Sequence, residues 1–233
     1  MTGLPTARVD WVGARRIIST RHPPIDLFED VADPADWPLL ISLEQKNNPR
    51  LMEGLGQLAL VPPARRVGGP GASYLMAPFT HVSVDRPSRF SAGDYGVLYA
   101  AHEFETALSE TIHHHEELMA ATAQAEGWAA QFRELVFDIA ADLSDCRGLA
   151  EDHPILSPVD YAESQKVATD LRTSGSDAII YPSVRNPGGT CAALFYPDLG
   201  SMPVQGRHVD YHWNGTRVDY YRDAGTREVF EVR

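Results

Sequence analysis

The chain has 233 residues, 43% of them apolar and 22% charged, which is the composition of an ordinary folded protein with a substantial core. The formal net charge of −12 argues against direct nucleic-acid binding, because phosphates call for a basic surface. No run approaches the roughly 18 apolar residues of a membrane span. The N-terminus has no basic region followed by an apolar one, so we expect no secretory signal. Cys146 and Cys191 have neither disulfide-framework nor CxxC spacing, which suits the cytoplasm.

In chain order, residues 14–19 predict a short strand that bears Arg15 and Arg16. Asp33 is a candidate N-cap of a helix, with a proline at the first helical position. Residues 62–87 are loop-rich and include a turn cluster of glycine and proline. This segment reads as a linker or as an insertion, and the absence of a charged or low-complexity tract favours an insertion.

The second half alternates strands and helices. A strand is predicted from Val97 to Ala101, with Val97, Tyr99 and Ala101 on one face. Two hairpin turns, at Asn214-Gly215 and around Gly225, are predicted in the tail. The other predicted elements are a helix at 105–123, a strand at 135–139, a helix at 161–173, and strands at 177–181 and 190–195.

This succession predicts an α+β fold, with a compact β core and flanking helices. We expect a single domain over residues 1–233, with a loop-rich insertion around 44–87 and a C-terminal hairpin tail at 204–233.

Arg89, Tyr99 and Glu110 lie around the predicted strand–helix junction. The guanidinium of Arg89 suits a bidentate clamp on phosphates, and the ring of Tyr99 suits stacking on a flat ring. A carboxylate such as Glu110 stabilises the oxocarbenium-like centre that forms when a glycosidic bond breaks. Each residue also has an ordinary structural interpretation: a surface arginine, a core tyrosine and a solvated glutamate near a helix N-terminus.

Four further residues are weaker candidates. Arg16 ends a strand that reads as buried, where a charge needs a partner. Ser183 follows a strand and could donate to a carboxylate or a ribose oxygen, or could serve only as a turn residue. Asn186 begins a Gly-Gly turn that could bring donors near phosphate, and His114 lies one helical turn after Glu110, which it could orient.

The run His113-His114-His115 suggests a metal site at first sight. Consecutive helical side chains point about 100° apart, so the three imidazoles cannot ligate one ion together. The chain has no HExxH motif, and the cysteines lack histidines at zinc spacing. We therefore expect no metal.

Together these residues resemble the RES domain, the toxin half of the RES–Xre bacterial toxin–antitoxin systems. The resemblance runs from about residue 14 to 197, and the segment from Ile25 to Arg86 aligns only loosely. The order and spacing of the blocks are more specific than any single block. The blocks are Arg15-Arg16-Ile17-Ile18, Ser88-Arg89-Phe90, Gly96-Val97-Leu98-Tyr99-Ala100-Ala101, Glu105-Thr106-Ala107-Leu108-Ser109-Glu110 and Tyr181-Pro182-Ser183-Val184-Arg185-Asn186-Pro187-Gly188-Gly189.

The resemblance implies a fold similar to that of ADP-ribosyltransferase toxins and an activity on NAD, by phosphorolysis, hydrolysis or ADP-ribosyl transfer. It implies catalytic roles for Arg89, Tyr99, Glu110 and Ser183. The expected NAD-binding residues are Arg16, Arg89, Tyr99, His114 and Asn186. Four positions depart from the usual family residues: Phe90-Ser91 replace tryptophan and asparagine, Phe104 replaces a helix-start proline, and Cys191 replaces a frequent asparagine.

Three functional hypotheses follow. The leading hypothesis is that the chain is a single RES-type domain and acts as a cytoplasmic toxin. It would cleave the nicotinamide–ribose bond of NAD by phosphorolysis or hydrolysis. An Xre-type antitoxin would neutralise it by covering the site, and inorganic phosphate is a candidate second ligand. The alternatives are a mono-ADP-ribosyltransferase that modifies a cellular protein, and a non-catalytic partner-binding module.

Overall fold

The structure is a computed structural model that describes residues 3–20 and 56–232. Within these residues lie eight strands and three α-helices, and none of the helices is long and apolar enough to cross a membrane. The elements are β1 (Thr6–Ser19), α1 (Ala72–Thr80), β2 (Leu98–Ala101), α2 (Phe104–Ala121), β3 (Gly127–Asp145), α3 (Ala162–Thr173), β4 (Ala178–Pro182), β5 (Thr190–Leu194), β6 (Val204–Trp213), β7 (Val218–Asp223) and β8 (Val229–Glu231).

The described strands form one sheet in the order β1-β2-β5-β4-β3-β6-β7-β8. The long strand β3 pairs with β1 along one edge, and with β6 and then β4 along the other. A ring therefore closes from β1 through β2, β5, β4 and β3 back to β1. The β3–β4 pairing is parallel and the others are antiparallel. The predicted α+β class, with a β core and flanking helices, is confirmed.

The two faces of the sheet bury two separate apolar clusters, because side chains alternate along each strand. In β2, Ala101 and Tyr99 join the cluster that α2 and α3 cover, together with the adjoining Val97. Leu98 and Ala100 join the cluster that α1 covers. The predicted common face of Val97, Tyr99 and Ala101 is therefore confirmed, and it is the face on which α2 lies.

Most predicted elements lie within one or two residues of the observed ones. The exceptions are β1 and β3, of 14 and 19 residues, which extend well beyond the predicted 14–19 and 135–139. The two strands pair from Thr6 with Ser144 to Ser19 with Phe132, so their mutual pairing satisfies backbone groups well beyond the predicted segments. The helix predicted at Asp33 and the insertion's first part, 44–55, lie outside the described residues.

The segment predicted to be loop-rich contains a helix, α1. Gly71, with a φ of 88°, precedes it, and Pro78 lies inside it, so both residues argued against a helix from sequence. Leu75, Met76 and Phe79 are nonetheless buried in the cluster beneath. Tertiary burial of this apolar stripe therefore outweighs the local cost of proline.

We expect Gly96→Ala to destabilise the fold, because a Cβ at Gly96 would meet the backbone of Pro78 and Phe79 in α1. The backbone cannot retreat without moving the helix, so the loss should be about 1–3 kcal/mol in the free energy of unfolding, measured by urea denaturation. The matched control is Gly148→Ala, where nothing lies within 4 Å, with an expected change of at most about 0.5 kcal/mol. Equal stabilities for the two variants would contradict this account.

Candidate functional site

A cavity of about 300 Å³ lies on the α2-covered face of the sheet, between β1, β2, α2 and the loop that carries Arg89. This volume is at the lower end of the range for small-molecule sites. The cavity combines apolar walls with three arginines and one carboxylate. Its lining consists of Arg15, Arg16, Ile17, Ser88, Arg89, Tyr99, Ala100, Ala101, Ala107, Glu110, Thr111, His114, Tyr161, Tyr181 and Cys191.

Glu110 lies in the second turn of α2, and its carboxylate is held against the sheet. Oε1 accepts a hydrogen bond of 2.6 Å from Oγ of Ser183, which directly follows β4. The thiol of Cys191, in β5, lies 3.8 Å from the same oxygen. The structure therefore brings together Glu110 and Ser183, two of the four predicted catalytic residues, in direct contact.

Cys191 remains a thiol beside this carboxylate. Burial raises its pKa above the ordinary value, and the neighbouring charge of Glu110 raises it further. Burial likewise raises the pKa of Tyr181, whose ring packs edge-on against Phe90 at 4.9 Å. Both groups are therefore neutral at pH 7, so Glu110 faces hydrogen-bond donors on this side.

Ser183 also performs the structural role that was its alternative interpretation. Its Oγ accepts from the backbone N–H groups of Arg185 and Asn186 at 3.2 and 3.0 Å. The side-chain amide of Asn186 donates to Oγ1 of Thr106 at 2.8 Å, which ties the turn to α2. Asn186 does not line the cavity, so its predicted contact with NAD stays a prediction.

Arg89 lines the cavity and is buried, with an exposure of 8%. Nη1 donates to the backbone carbonyl oxygens of Ser157 at 2.8 Å and Ile155 at 3.3 Å. Its guanidinium carbon lies 4.7 Å from the ring centroid of Tyr161. Arg89 is thus oriented by fixed neighbours rather than solvated, contrary to its ordinary structural interpretation.

Tyr99 links the cavity to the loop that carries Arg89. Its hydroxyl donates to Oγ of Ser88 at 2.8 Å and accepts from the backbone N–H of Phe90 at 2.9 Å. Burial raises the pKa of Tyr99 to about 12, so the group is a neutral phenol at pH 7. The hydroxyl is engaged in positioning the loop, while the ring forms part of the cavity wall.

Two adjacent arginines of β1 reach the cavity, of which the sequence singled out only Arg16. Nη1 of Arg16 donates to the backbone carbonyl of Tyr99 at 2.7 Å, and burial lowers its pKa to about 10, which leaves it charged at pH 7. Arg15 is paired with Ala101 and therefore lies on the α2-covered face. Its position two residues before the buried Ile17 was the signal that could have revealed it.

The predicted hydrogen bond between His114 and Glu110 is wrong. His114 lines the cavity, but its Nδ1 lies 3.1 Å from Oε2 of Glu117, one turn further along α2. The carboxylate of Glu110 is directed to Ser183 instead. The i, i+4 spacing allows the two side chains to meet, but His114 is bonded to Glu117 and Glu110 is bonded to Ser183.

The three consecutive histidines diverge as expected, because His115 is buried between Phe132 and Tyr211. His113 and His114 both lie near the carboxylate of Glu117, at 3.4 and 3.1 Å. Among the described residues, potential ligand atoms of His113, His114 and Glu117 lie within 4.8 Å of one another.

Replacing Tyr99 with phenylalanine should cost about 1–2 kcal/mol at pH 7, because the Phe90 N–H loses its acceptor. The difference in stability between the two proteins should shrink between about pH 10 and 12. In this range the phenol of the unfolded wild type ionises near its usual pKa, while the folded phenol stays protonated. The wild type therefore loses stability as the pH rises, and the phenylalanine variant does not. Urea denaturation across this pH range measures both effects.

Tyr220→Phe is the matched control, since Tyr220 is 41% exposed and its stability should change by at most about 0.5 kcal/mol. A Tyr99→Phe protein as stable as this control at pH 7 would show that the hydroxyl does not hold the loop.

Comparison with known proteins identifies one family. The chain matches the RES domain over residues 63–214. It is 26% identical over 225 residues to the relative named uncharacterized protein y4oC, from Sinorhizobium fredii (strain NBRC 101917 / NGR234), covering 93% of this chain and 91% of that protein. Among solved structures, it is similar to the M. tuberculosis MbcT–MbcA toxin–antitoxin complex at 13% identity, over 88% of this chain and 86% of that one, with a TM-score of 0.44.

The RES match includes Arg89, Tyr99, Glu110 and Ser183, whereas strand β1, which carries Arg15 and Arg16, precedes it. Well over half of the chain is covered. The chain therefore belongs to the RES domain family.

Proposed function

We propose that this protein cleaves NAD at the bond between nicotinamide and ribose. The observation that carries the proposal is the fixed carboxylate of Glu110, which lies in one cavity with three arginines and the ring of Tyr99. The sequence resemblance to RES toxins supports NAD as the substrate. The cavity adds support, because it offers arginines for a pyrophosphate, an aromatic ring for the nicotinamide riboside and a carboxylate for a cationic ribose.

In the proposed reaction, the bond between the ribose C1′ and the nicotinamide nitrogen breaks, and its electron pair leaves with nicotinamide. Positive charge then develops on the ribose, and the Glu110 carboxylate stabilises it electrostatically. Ser183 is a positioning residue in this scheme, since its hydrogen bond fixes where the carboxylate points. The acceptor's oxygen forms the new bond to C1′ and its proton is released.

The arginines are the groups proposed to bind the pyrophosphate. Arg15, Arg16 and Arg89 give the cavity a local positive charge on a protein whose formal net charge is −12. Guanidinium groups suit phosphate oxygens because they present paired donors in one plane. The ring of Tyr99 is proposed to contact the nicotinamide riboside. His114, which lines the cavity, and Asn186, which is bonded to Thr106 of α2, are further proposed contacts of NAD.

We expect Glu110→Gln to lower the rate of nicotinamide release by about 100-fold or more, because the amide keeps the shape but loses the charge. Glu105→Gln is the matched control, an exposed glutamate in the first turn of the same helix, and should retain wild-type activity. Chromatography of the nicotinamide released from NAD measures both rates. A Glu110→Gln protein that consumes NAD as fast as the wild type would refute the assignment.

The same assay, run with and without inorganic phosphate, identifies the acceptor. Phosphorolysis makes turnover depend on phosphate and yields a phosphorylated ADP-ribose, whereas hydrolysis yields ADP-ribose in both buffers. Label transferred from NAD to lysate protein would indicate an ADP-ribosyltransferase instead. NAD binding without turnover would favour a non-catalytic partner-binding module.

We further propose that the protein is a cytoplasmic toxin neutralised by an Xre-type antitoxin that covers this cavity. Expression of the chain alone should deplete cellular NAD and arrest growth. Co-expression of a helix-turn-helix protein encoded by the neighbouring gene should restore both. Arrest that persists with the Glu110→Gln protein would separate toxicity from NAD cleavage and overturn this proposal.

A further inference from the structure

A fully buried carboxylate lies behind the cavity, outside the groups already assigned to the reaction. Glu134, in β3, is a carboxylate that is only 1% exposed. It is paired with Ile17 of β1, so its side chain shares the α2-covered face with Ile17 and Arg15. This places the carboxylate directly beneath the wall that Arg15 contributes to the cavity.

Both carboxylate oxygens have defined partners. Oε1 accepts from Nη1 of Arg15 at 2.9 Å. Oε2 accepts from the backbone N–H of Arg207 at 3.0 Å and lies 3.4 Å from Nε of the same residue. Gly206 makes this approach feasible, because a Cβ there would lie 2.5 Å from Oε2.

We expect the buried pair to contribute little to the net stability of the fold. A buried ion pair must overcome the desolvation of its charges, and an apolar replacement is often equally stable. Here one carboxylate is shared by Arg15 and Arg207, so the cluster retains a net positive charge next to the cavity. Arg207 is held in turn, since its guanidinium carbon lies 3.7 Å from the ring centroid of Phe104.

The guanidinium of Arg15 is bonded to Glu134, and its side chain remains partly exposed. Its side chain is 32% exposed and lines the cavity, whereas that of Glu134 is 2% exposed, so the arginine is bonded to a buried carboxylate while part of it stays accessible. A long arginine side chain loses considerable rotamer entropy when it is ordered. An anchor that orders it before the ligand arrives removes that cost from binding.

We propose that Glu134 is a positioning residue that holds Arg15 in place as a phosphate-binding cation of the cavity. The inference rests on the proposed function, since the anion it assigns to Arg15 is the pyrophosphate of NAD. Arg15 and Glu134 then affect how tightly the dinucleotide binds, while Glu110 affects how fast the bond breaks.

The test compares the wild type with Glu134→Gln, Arg15→Met and the double variant in steady-state NAD cleavage. Each single variant should raise KM for NAD by roughly tenfold, the value of one charge-assisted hydrogen bond, with kcat within about twofold of the wild type. The double variant should match Arg15→Met, because Glu134 acts only through Arg15. A purely structural role would lower folded yield and leave KM unchanged.

Two further variants guard against misfolding and nonspecific charge effects. Glu134→Asp keeps the buried charge but withdraws it from Arg15, and should raise KM like Glu134→Gln. Asp10→Asn removes a carboxylate that pairs with Arg8 at the exposed end of the same strand, and should leave KM unchanged. Unchanged KM in both Glu134 variants, or additive effects in the double variant, would overturn the inference.

Calorimetry with ADP separates this inference from the proposed function. ADP carries the pyrophosphate without a scissile nicotinamide bond, so its binding does not depend on turnover. If the wild type binds ADP and Glu134→Gln binds it about tenfold more weakly, the positioning role holds even when NAD is not cleaved. Equal ADP affinities, or no ADP binding by the wild type, would refute it.

Discussion

The hydrogen bond from Ser183 to Glu110 connects the end of β4 to the second turn of α2, and the geometry of the cavity depends on it. A carboxylate on a helix surface normally samples several rotamers in water. Here the serine hydroxyl selects one, and the turn that follows is tied to the same helix through Asn186 and Thr106. The helix and the end of β4 are therefore joined by two hydrogen bonds.

The polar groups of the cavity share a common design, in which each is held by a neighbour before any ligand is present. Arg89 donates to backbone carbonyls, Tyr99 holds the loop of Arg89, and Arg16 donates to the carbonyl of Tyr99. Preorganised charges of this kind need not reorient during a reaction, which is a principal source of electrostatic catalysis. The neutral thiol of Cys191 fits this design, because it adds no second negative charge beside Glu110.

The parts of the fold that sequence analysis predicted well are those encoded by local pattern. The strand before α2, the helix itself and the hairpin turns each carry their own periodicity or turn residues. The helix α1 was missed because Pro78 and the preceding glycines argue locally for a loop, whereas burial against the sheet decides for a helix. The full lengths of β1 and β3 were missed, although residues 6–11 alternate polar and apolar side chains, and it is the pairing of the two strands that carries both beyond the predicted segments.

The sequence by itself determined which chemical groups are available: Arg89, Tyr99, Glu110 and Ser183 stand in blocks whose order resembles one family. Only the tertiary structure decided how they are used. It bonds Glu110 to Ser183, 73 residues away, rather than to His114 in the same helix, and it joins Arg15 to Glu134 across 119 residues. Local spacing limits which side chains can meet, but sheet register and burial decide which of them do, because a buried charge takes whichever partner the packed strands bring to it.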